Sequence, residues 1–325
     1  YINRSATGVA VTGVSGSPVL TDAIQATTES NGTLADLGAG RYTYTFATDI
    51  TNLSSPLAVT YDPTLTHRVA IQVSGFPASN PIFDFRPDGA TPTVSREIVK
   101  TANCNSCHNK LAIHGGGRVE AQYCVTCHNP GSVDPETGNT VDFKVMIHKI
   151  HRGKDLPSVV LGPDLLASTA DDGTGIYSIV GFGNSVHDYS DVAFPQDLRN
   201  CTKCHDGSDN TAANYTPQGD NWKTQANMTA CGSCHDDIDF SKDGSAAGAN
   251  DPNGHSGGVM GDNRFCFDCH GPTGPAIPGS IETRHTNPVK VAEPKFQYNI
   301  LEICGTAIAS GPVCAPGSTP TVKFS

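Results

Sequence analysis

Ten of the twelve cysteines fall into five Cys-x-x-Cys pairs, and a histidine directly follows each pair. Two thiols about one helical turn apart can add across the two vinyl groups of a haem, and the adjacent imidazole can then reach the iron. This spacing predicts five covalently attached c-type haems, each with a histidine as its first axial ligand. The five motifs are Cys104/Cys107/His108, Cys124/Cys127/His128, Cys201/Cys204/His205, Cys231/Cys234/His235 and Cys266/Cys269/His270.

Three other uses of paired cysteines compete with this interpretation. A zinc site of four thiolates takes two pairs, whereas this chain has an odd number of pairs, and zinc gives no reason for a histidine after each one. A redox-active dithiol, or a disulfide within a pair, would have to recur five times in one chain. The pattern therefore favours haem over zinc, dithiols and disulfides.

The two remaining cysteines, Cys304 and Cys314, have nine residues between them in a segment that contains Gly and Pro. Haem c attachment implies an oxidising, extracytoplasmic setting, in which disulfides persist. We therefore predict a local disulfide between these two residues, with two free thiols as the alternative.

Five six-coordinate irons need five further axial ligands, and seven histidines remain outside the motifs. His148 and His151 lie one turn apart on a predicted short helix from Asp142 to Arg152, so they share one helical face. That arrangement prevents both from binding one haem face but allows each to serve a different haem. The predicted second ligands are His114, His148, His151, His255 and His285, with His187 as a reserve.

Local sequence supports the other ligand assignments. His114 and His255 stand in glycine-rich segments, where the backbone can approach a flat macrocycle closely. His285 follows the fifth motif by fifteen residues, and we assign it to the fifth haem. His67 lies in a strand-like stretch and is expected to be structural. The three methionines, which are expected to pack rather than bind iron, are Met146, Met228 and Met260.

The composition offers little material for an ordinary core. Only 37% of the 325 residues are hydrophobic, while 34 are Gly and 22 are Pro, which predicts a loop-rich chain with short elements. The formal net charge of −11 disfavours nucleic acid as a partner. No run approaches the roughly 20 apolar residues that span a bilayer, so we expect membrane association only through parts outside this chain.

Composition and patterning divide the chain into three parts, which together predict a mixed, loop-rich fold. Residues 1–95 lack cysteine and show strand-like alternation, which indicates an antiparallel β domain of sandwich or barrel type. Residues 96–290 hold the five motifs and predict a pentahaem domain with short helices and little regular structure. Residues 291–325 again resemble strands and are expected to begin a further β domain.

More local expectations follow from the same patterns. The predicted strands are Arg41–Phe46, Pro56–Tyr61, Arg68–Val73, Pro294–Ile300 and Thr319–Ser325, and Phe83–Pro92 is expected to be the linker that leaves the first domain. Ser95 is expected to cap a helix that runs into the first motif. The acidic segment Asp236–Asp243 is expected to be a solvated loop, with bound Ca²⁺ as the alternative.

Four stretches between Asp84 and His285 extend beyond the bare motifs: Cys104–His108 with Leu111–Arg118, Tyr123–Pro130, Met146–Gly153 and Phe194–Cys201. In these stretches the haem region resembles the OmcA/MtrC family of outer-membrane, cell-surface cytochromes. Members of that family alternate β domains with pentahaem domains, usually twice. One set occurs here, and the strand-like ends favour a fragment of a longer protein over a shorter relative.

The resemblance implies haems with two histidine ligands, export through the periplasm and a location at the outer-membrane surface or outside the cell. It also implies electron delivery to minerals, soluble metals, flavins or partner cytochromes. We therefore expect an electron carrier in which any metal reduction is outer-sphere. Two alternatives remain at this stage: a multihaem reductase with one open iron, and a subunit of a polymeric cytochrome filament.

Overall fold

The computed structural model describes residues 3–12, 14, 19–75, 77–92, 96–213, 215–246, 251–272, 274, 280–289, 299–307, 309 and 314–324 of the chain. Regular elements are short there: the longest strand has 6 residues and the longest α-helix has 10. Small antiparallel sheets come first, short helices follow, and a three-stranded sheet comes last. The predicted mixed, loop-rich fold is confirmed.

The N-terminal region is built from three antiparallel strand pairs: β1 (Asn3–Ala6) with β2 (Ala23–Ala26), β3 (Thr33–Gly38) with β4 (Arg41–Thr45), and β5 (His67–Ala70) with β6 (Ile82–Phe85). The alternation in the sequence locates β4 and β5 correctly. The strand expected at Pro56–Tyr61 is wrong, since only Val59 pairs there, in a single bridge with Leu53. A proline has no N–H to donate to the hydrogen-bond ladder of a β-sheet, which explains why no strand forms around Pro56.

The linker expected from Phe83 is also wrong in part, because strand β6 occupies its first residues. The reason is a cross-strand ion pair: the Arg68 guanidinium donates Nε to Asp84 Oδ1 at 2.6 Å and its second amino group to Oδ2 at 2.7 Å. Arg68 also donates to the Gln122 carbonyl at 3.2 Å. Buried Asn80 donates to the Gly117 carbonyl at 3.0 Å. The β5–β6 hairpin is thereby fastened to the segment that carries the second motif.

Short helices dominate the part of the chain that holds the motifs. Helix α1 begins at Thr101, so the expected helix from Ser95 is wrong over residues 96–100; Ser95 itself lies outside the described residues. The backbone of Glu97 instead exchanges hydrogen bonds with Gln218 at 3.0 Å. The helices are α1 (Thr101–His108), α2 (Ala121–Cys124), α3 (Phe143–Arg152), α4 (Pro157–Val160), α5 (Asn221–Thr224), α6 (Met228–Cys231), α7 (Cys266–His270) and α8 (Ile281–Arg284).

Helix α3 confirms the helix expected between Asp142 and Arg152. Its N-cap is Asp142, whose carboxylate accepts the Lys144 N–H at 3.1 Å. Gly153 ends it in a left-handed conformation with φ of 45°, and a Cβ there would lie 2.3 Å from the Val192 carbonyl oxygen. Only glycine suits this position, so the length of α3 is fixed by the residue that follows it.

A small apolar cluster supports the C-terminal end of α3. Leu156, Val159 and Tyr177 are buried together, and Ile150 of α3 packs against them. The pair β7 (Ser178–Gly181) and β8 (Ser185–Asp188) follows Tyr177, and β9 (Asp239–Asp243) pairs in parallel with β10 (Gly254–His255). Three-residue 3₁₀ turns occur at Ile50–Asn52, Gly153–Asp155, Phe182–Asn184 and Cys201–Lys203.

The C-terminal region is a three-stranded sheet in the order β12 (Thr306–Ala307), β11 (Ile300–Ile303), β13 (Val322–Phe324). Strand β13 confirms the part of the expected strand Thr319–Ser325 that runs from Val322 to Phe324, while residues 319–321 are not in a strand. Of the strand expected from Pro294, residues 294–298 lie outside the described residues, and β11 begins at Ile300. The predicted disulfide between Cys304 and Cys314 is confirmed. None of the helices in the described ranges has the length and apolarity to cross a bilayer.

Candidate haem-binding sites

Each motif histidine lies about 6 Å, between ring centres, from one histidine outside the motifs. All five histidines that the sequence selected as second ligands take part in these pairs. The pairs are His114–His128 at 5.9 Å, His108–His151 at 6.0 Å, His148–His205 at 6.0 Å, His255–His270 at 6.2 Å and His235–His285 at 6.3 Å.

This separation is the one that a shared metal requires. An imidazole nitrogen binds a transition metal at about 2 Å and the ring centre lies about 1 Å further, so two imidazoles on opposite sides of one iron have centres about 6 Å apart. Rings that pack directly against each other also have centres about 4.5–7 Å apart, so a single distance near 6 Å would be weak evidence for a shared metal. Five pairs between 5.9 and 6.3 Å, each with one motif histidine, fit haem ligation better than incidental packing.

Hydrogen bonds fix which nitrogen of several rings is available to a metal. A carbonyl oxygen can only accept, so an Nδ1 atom bonded to one carries the proton and leaves the Nε2 lone pair free. Four of the paired histidines are held in this tautomer. Their bonds run from His128 to Val141 at 3.0 Å, His151 to Ile147 at 2.8 Å, His255 to Gly258 at 3.0 Å and His285 to Ile281 at 2.8 Å.

Helix α3 supplies ligand candidates to two different sites, as the i, i+3 spacing predicted. His148 pairs with His205 of the third motif, and His151 pairs with His108 of the first motif. The two side chains lie one turn apart on one helix. Because that helix is rigid, the first and third sites are held in a fixed relation to each other.

His114 and the two glycines after it all have positive φ angles, which the glycine-rich sequence did not by itself predict for His114. It has a φ of 51°, and Gly115 and Gly116 follow with φ of 75° and 87°. A non-glycine residue with positive φ is uncommon and signals a locally imposed conformation. The glycines therefore do more than permit close approach: they continue the left-handed turn that carries the His114 ring to its partner.

The assignment of His285 to the fifth motif is wrong, since this residue pairs with His235 of the fourth, and His255 pairs with His270 of the fifth. The pairing involves contacts that the sequence does not reveal. One of them is an ion pair between Glu282 of α8 and Lys223 of α5 at 3.2 Å, which lies beside the segment leading into the fourth motif.

The remaining histidines lie outside these pairs. His187, the reserve ligand, is exposed on β8, and its Nε2 lies 3.1 Å from the Ser185 hydroxyl. His67 packs between Tyr61 and Phe85, with ring centres 5.5 and 5.8 Å away, as expected of a structural residue. Among the methionines, Met146 is buried in α3, while Met228 and Met260 line a cavity of about 540 Å³.

Burial keeps most of the paired imidazoles neutral, which is the form that binds a metal. It is the main cause of a lowered pKa in seven of them, and for His148 it lowers the pKa to about 4. The seven are His114, His128, His148, His151, His205, His235 and His270.

None of the ten motif cysteines forms a disulfide. Burial raises the pKa of most of them, to about 11 for Cys124 and Cys201. In the described ranges, no three His, Cys, Asp or Glu side chains cluster in a way that holds a metal ion. The carboxylate of Asp236, in the proposed calcium segment, instead binds Lys149 at 2.7 Å and Ser158.

The motifs and the histidine pairs fit haem c in residue type, ring separation and tautomer. Together with the loop-rich fold, they define a multihaem c-type cytochrome. Among the described residues, only eight apolar residues are buried, consistent with a protein that is not organised around a core of its own side chains.

Comparison with known proteins gives the family. Residues 96–285 match the family "Outer membrane cytochrome MtrC/MtrF-like, domains II/IV", and residues 3–91 match the "OmcA-like N-terminal domain". The chain therefore belongs to the OmcA/MtrC family of outer-membrane multihaem cytochromes.

Two relatives illustrate the extent of the match. The multiheme cytochrome MtrC of Shewanella baltica is 32% identical over 250 residues, which is 74% of this chain and 29% of the relative. The crystal structure of the outer membrane decaheme cytochrome OmcA superposes with a TM-score of 0.71 at 29% identity, over 94% of this chain and 41% of that one. The chain thus spans less than half the length of either relative.

Proposed function

We propose that this chain carries five covalent haems, each with two histidine ligands, and conducts electrons between them. The observation that carries the proposal is the set of five histidine pairs, each composed of one motif histidine and one predicted second ligand. Haem iron, when bound, supplies one-electron chemistry between the ferric and ferrous states. The chain's own residues attach the macrocycles, orient the ligand rings and limit the access of water.

Neighbouring thiols support an order for the five sites. In addition to burial, the charge of an ionised thiol from another motif contributes to the raised pKa of several cysteines, which requires the two thiols to lie near each other. The contributing pairs are Cys104 on Cys124, Cys104 and Cys107 on Cys204, Cys234 on Cys201, and Cys266 on Cys231. We infer a chain of sites in the order second, first, third, fourth, fifth.

Two histidines at every site favour conduction over catalysis at iron. A reductase needs one site with an open coordination position, and each of the five motif histidines here has an imidazole in the position of a second ligand. Electron exchange with an acceptor would then be outer-sphere, at the exposed edges of the terminal sites.

We further propose that the setting is extracellular. The matched family and the solved relative are described as outer-membrane cytochromes, which supports a place at the cell surface. In that setting the partners are other multihaem cytochromes, minerals, soluble metals or flavins. We also propose domain boundaries at residues 1–95, 96–290 and 291–325; the family matches at 3–91 and 96–285 support the first of these.

Low-temperature EPR of the purified ferric holoprotein tests the proposal, with intact mass under denaturing conditions as the measure of haem number. We expect five haem masses, low-spin signals only, and no carbon monoxide adduct after reduction. A high-spin ferric signal, or ready uptake of carbon monoxide by one haem, would overturn the proposed electron-conducting function and favour an enzyme.

A further inference from the structure

Helix α3 contacts the fourth motif through two consecutive residues. His148 Nδ1 lies 3.2 Å from the hydroxyl of Ser233, which is the residue before the second cysteine of that motif. Lys149, the next residue of α3, forms an ion pair with Asp236, which directly follows the motif, at 2.7 Å. The helix that carries the candidate ligand of the third site is therefore fastened to the polypeptide of the fourth site.

The Ser233 hydroxyl and the Lys144 carbonyl of the same helix favour the same tautomer of His148. A serine hydroxyl has one hydrogen to donate, and here it donates to the Ala230 carbonyl at 2.5 Å. The contact with His148 must then be one in which the hydroxyl accepts, so Nδ1 carries the proton. The Nε2 lone pair of His148 is left for the side that holds His205, whose ring centre is 6.0 Å away.

This partner differs in kind from those of the other second ligands. The Nδ1 atoms of His151, His255 and His285 bond to backbone carbonyls within four residues of themselves. His148 also interacts with a carbonyl four residues earlier, that of Lys144, but it adds a hydrogen bond to a side chain 85 residues away, in the attachment loop of a different site. Ser233 is fully buried, with 0% exposure, so water cannot readily replace its hydroxyl.

The Lys149–Asp236 ion pair lies close to Ser233 in the sequence and holds the Ser233 hydroxyl in place. The side chain of Asp236 is only 5% exposed and accepts the Ser158 hydroxyl at 2.6 Å and the Ser158 N–H at 2.9 Å in addition to Lys149. A buried carboxylate with three donors is strongly localised. The backbone of the fourth motif is consequently fixed relative to α3, and the Ser233 hydroxyl with it.

We propose that Ser233 is a positioning residue that orients His148 and thereby makes the electronic properties of the third site depend on the attachment loop of the fourth. The inference rests on the proposed function, in which His148 and His205 are the ligands of one haem. A hydrogen bond from Nδ1–H raises the basicity of a ligating imidazole, which favours ferric iron and lowers the reduction potential. Loss of the Ser233 acceptor leaves only the Lys144 carbonyl beside Nδ1, so it should raise the potential of the third haem and change the orientation of the His148 ring.

The test is Ser233→Ala in the holoprotein, measured by potentiometric titration and EPR. The alanine leaves both motif cysteines in place, so five haem masses are expected. One of the five potentials should shift upward and one low-spin signal should change its g values. The affected signal should be the one that becomes high-spin in His148→Ala.

The chain offers a matched control in Ser106→Ala. Ser106 holds the same position in the first motif, and its hydroxyl also donates to the carbonyl three residues earlier, at 2.6 Å. It has no hydrogen bond to a histidine among the described residues. Ser233→Thr keeps the hydroxyl and should retain the wild-type signals, since Thr126 makes the equivalent bond in the second motif at 2.7 Å.

Identical potentials and g values in Ser233→Ala and Ser106→Ala would overturn the inference. Failure of the proposed function looks different, because the unmodified protein itself would then lack five low-spin centres. If Ser233→Ala lost a haem, Ser233→Thr would provide the test. Wild-type EPR signals and potentials in Ser233→Thr would support the role of the hydroxyl. A shifted potential and changed g values in Ser233→Thr would contradict that role.

Discussion

The third and fifth sites reach nearly the same ring separation by different means. At the third site, His148 stands on the ten-residue helix α3 and its ring is held by the buried Ser233, 6.0 Å from its partner. At the fifth site, His255 stands on a two-residue strand and bonds to Gly258, three residues further along, 6.2 Å from its partner. A ten-residue helix and a two-residue strand therefore give nearly the same ring separation, with one ring of each pair held by an Nδ1 hydrogen bond.

The two sites differ much more in their access to solvent. Burial lowers the pKa of His148 to about 4 and raises that of Cys201 to about 11 at the third site. At the fifth site Cys269 is exposed, and the neighbouring Phe265 is 63% exposed. In the proposed order of sites, the third is an interior junction between the first and fourth, whereas the fifth is an end that an acceptor can approach.

Removing the two motif cysteines should have the most different effects on protein stability at the third and fifth sites. Cys201→Ala with Cys204→Ala removes the attachment point at the junction, and we expect a loss of about 5 kcal/mol or more, above the cost of deleting one large buried side chain. Cys266→Ala with Cys269→Ala should lose one haem as well, but destabilise the rest by less than half as much. Intact mass and thermal unfolding measure both quantities. Equal destabilisation by the two double variants would contradict the assignment of the third site as the junction.

Much of the candidate site could be predicted because the residues that attach a haem lie close together in the sequence. The five motifs are contiguous, and a count of irons against spare histidines selects His114, His148, His151, His255 and His285, all of which lie opposite a motif histidine. Their ligation of iron stays a prediction. The fold class followed in the same way from the abundance of Gly and Pro and from the alternation in the N-terminal region.

Several features that the sequence did not reveal involve contacts between distant residues. The pairing of His285 with the fourth motif is accompanied by the Lys223–Glu282 ion pair. The start of α1 at Thr101 reflects the bonds between Glu97 and Gln218. The role of Ser233 joins positions 85 residues apart. Spacing along the chain carries no information about such partners, and propensity is overridden by them.

Lys149→Met should weaken the support of the third site specifically. The Lys149 and Asp236 side chains are 18% and 5% exposed, so the variant leaves a buried carboxylate without its cation, at a cost of about 3 kcal/mol in unfolding free energy. The matched control is Lys154→Met, because Lys154 and Asp155 are 54% and 45% exposed and such a pair contributes about 0–1 kcal/mol. Denaturant unfolding of the two variants makes the comparison, and similar midpoints would show that the buried pair does not stabilise this region.

The smallest expected effect tests solvent access at the fifth site. The ring of Phe240 lies 5.5 Å from that of His255, and its removal in Phe240→Ala should admit water beside this ligand. Water stabilises the more highly charged ferric form, so the potential of the fifth haem should fall slightly while that of the third stays unchanged. Phe182→Ala is the control, since Phe182 is fully exposed. A potentiometric titration in which Phe240→Ala matches Phe182→Ala would mean that the fifth site is already fully hydrated, and the contrast between the two sites would then be larger than the ring contact implies.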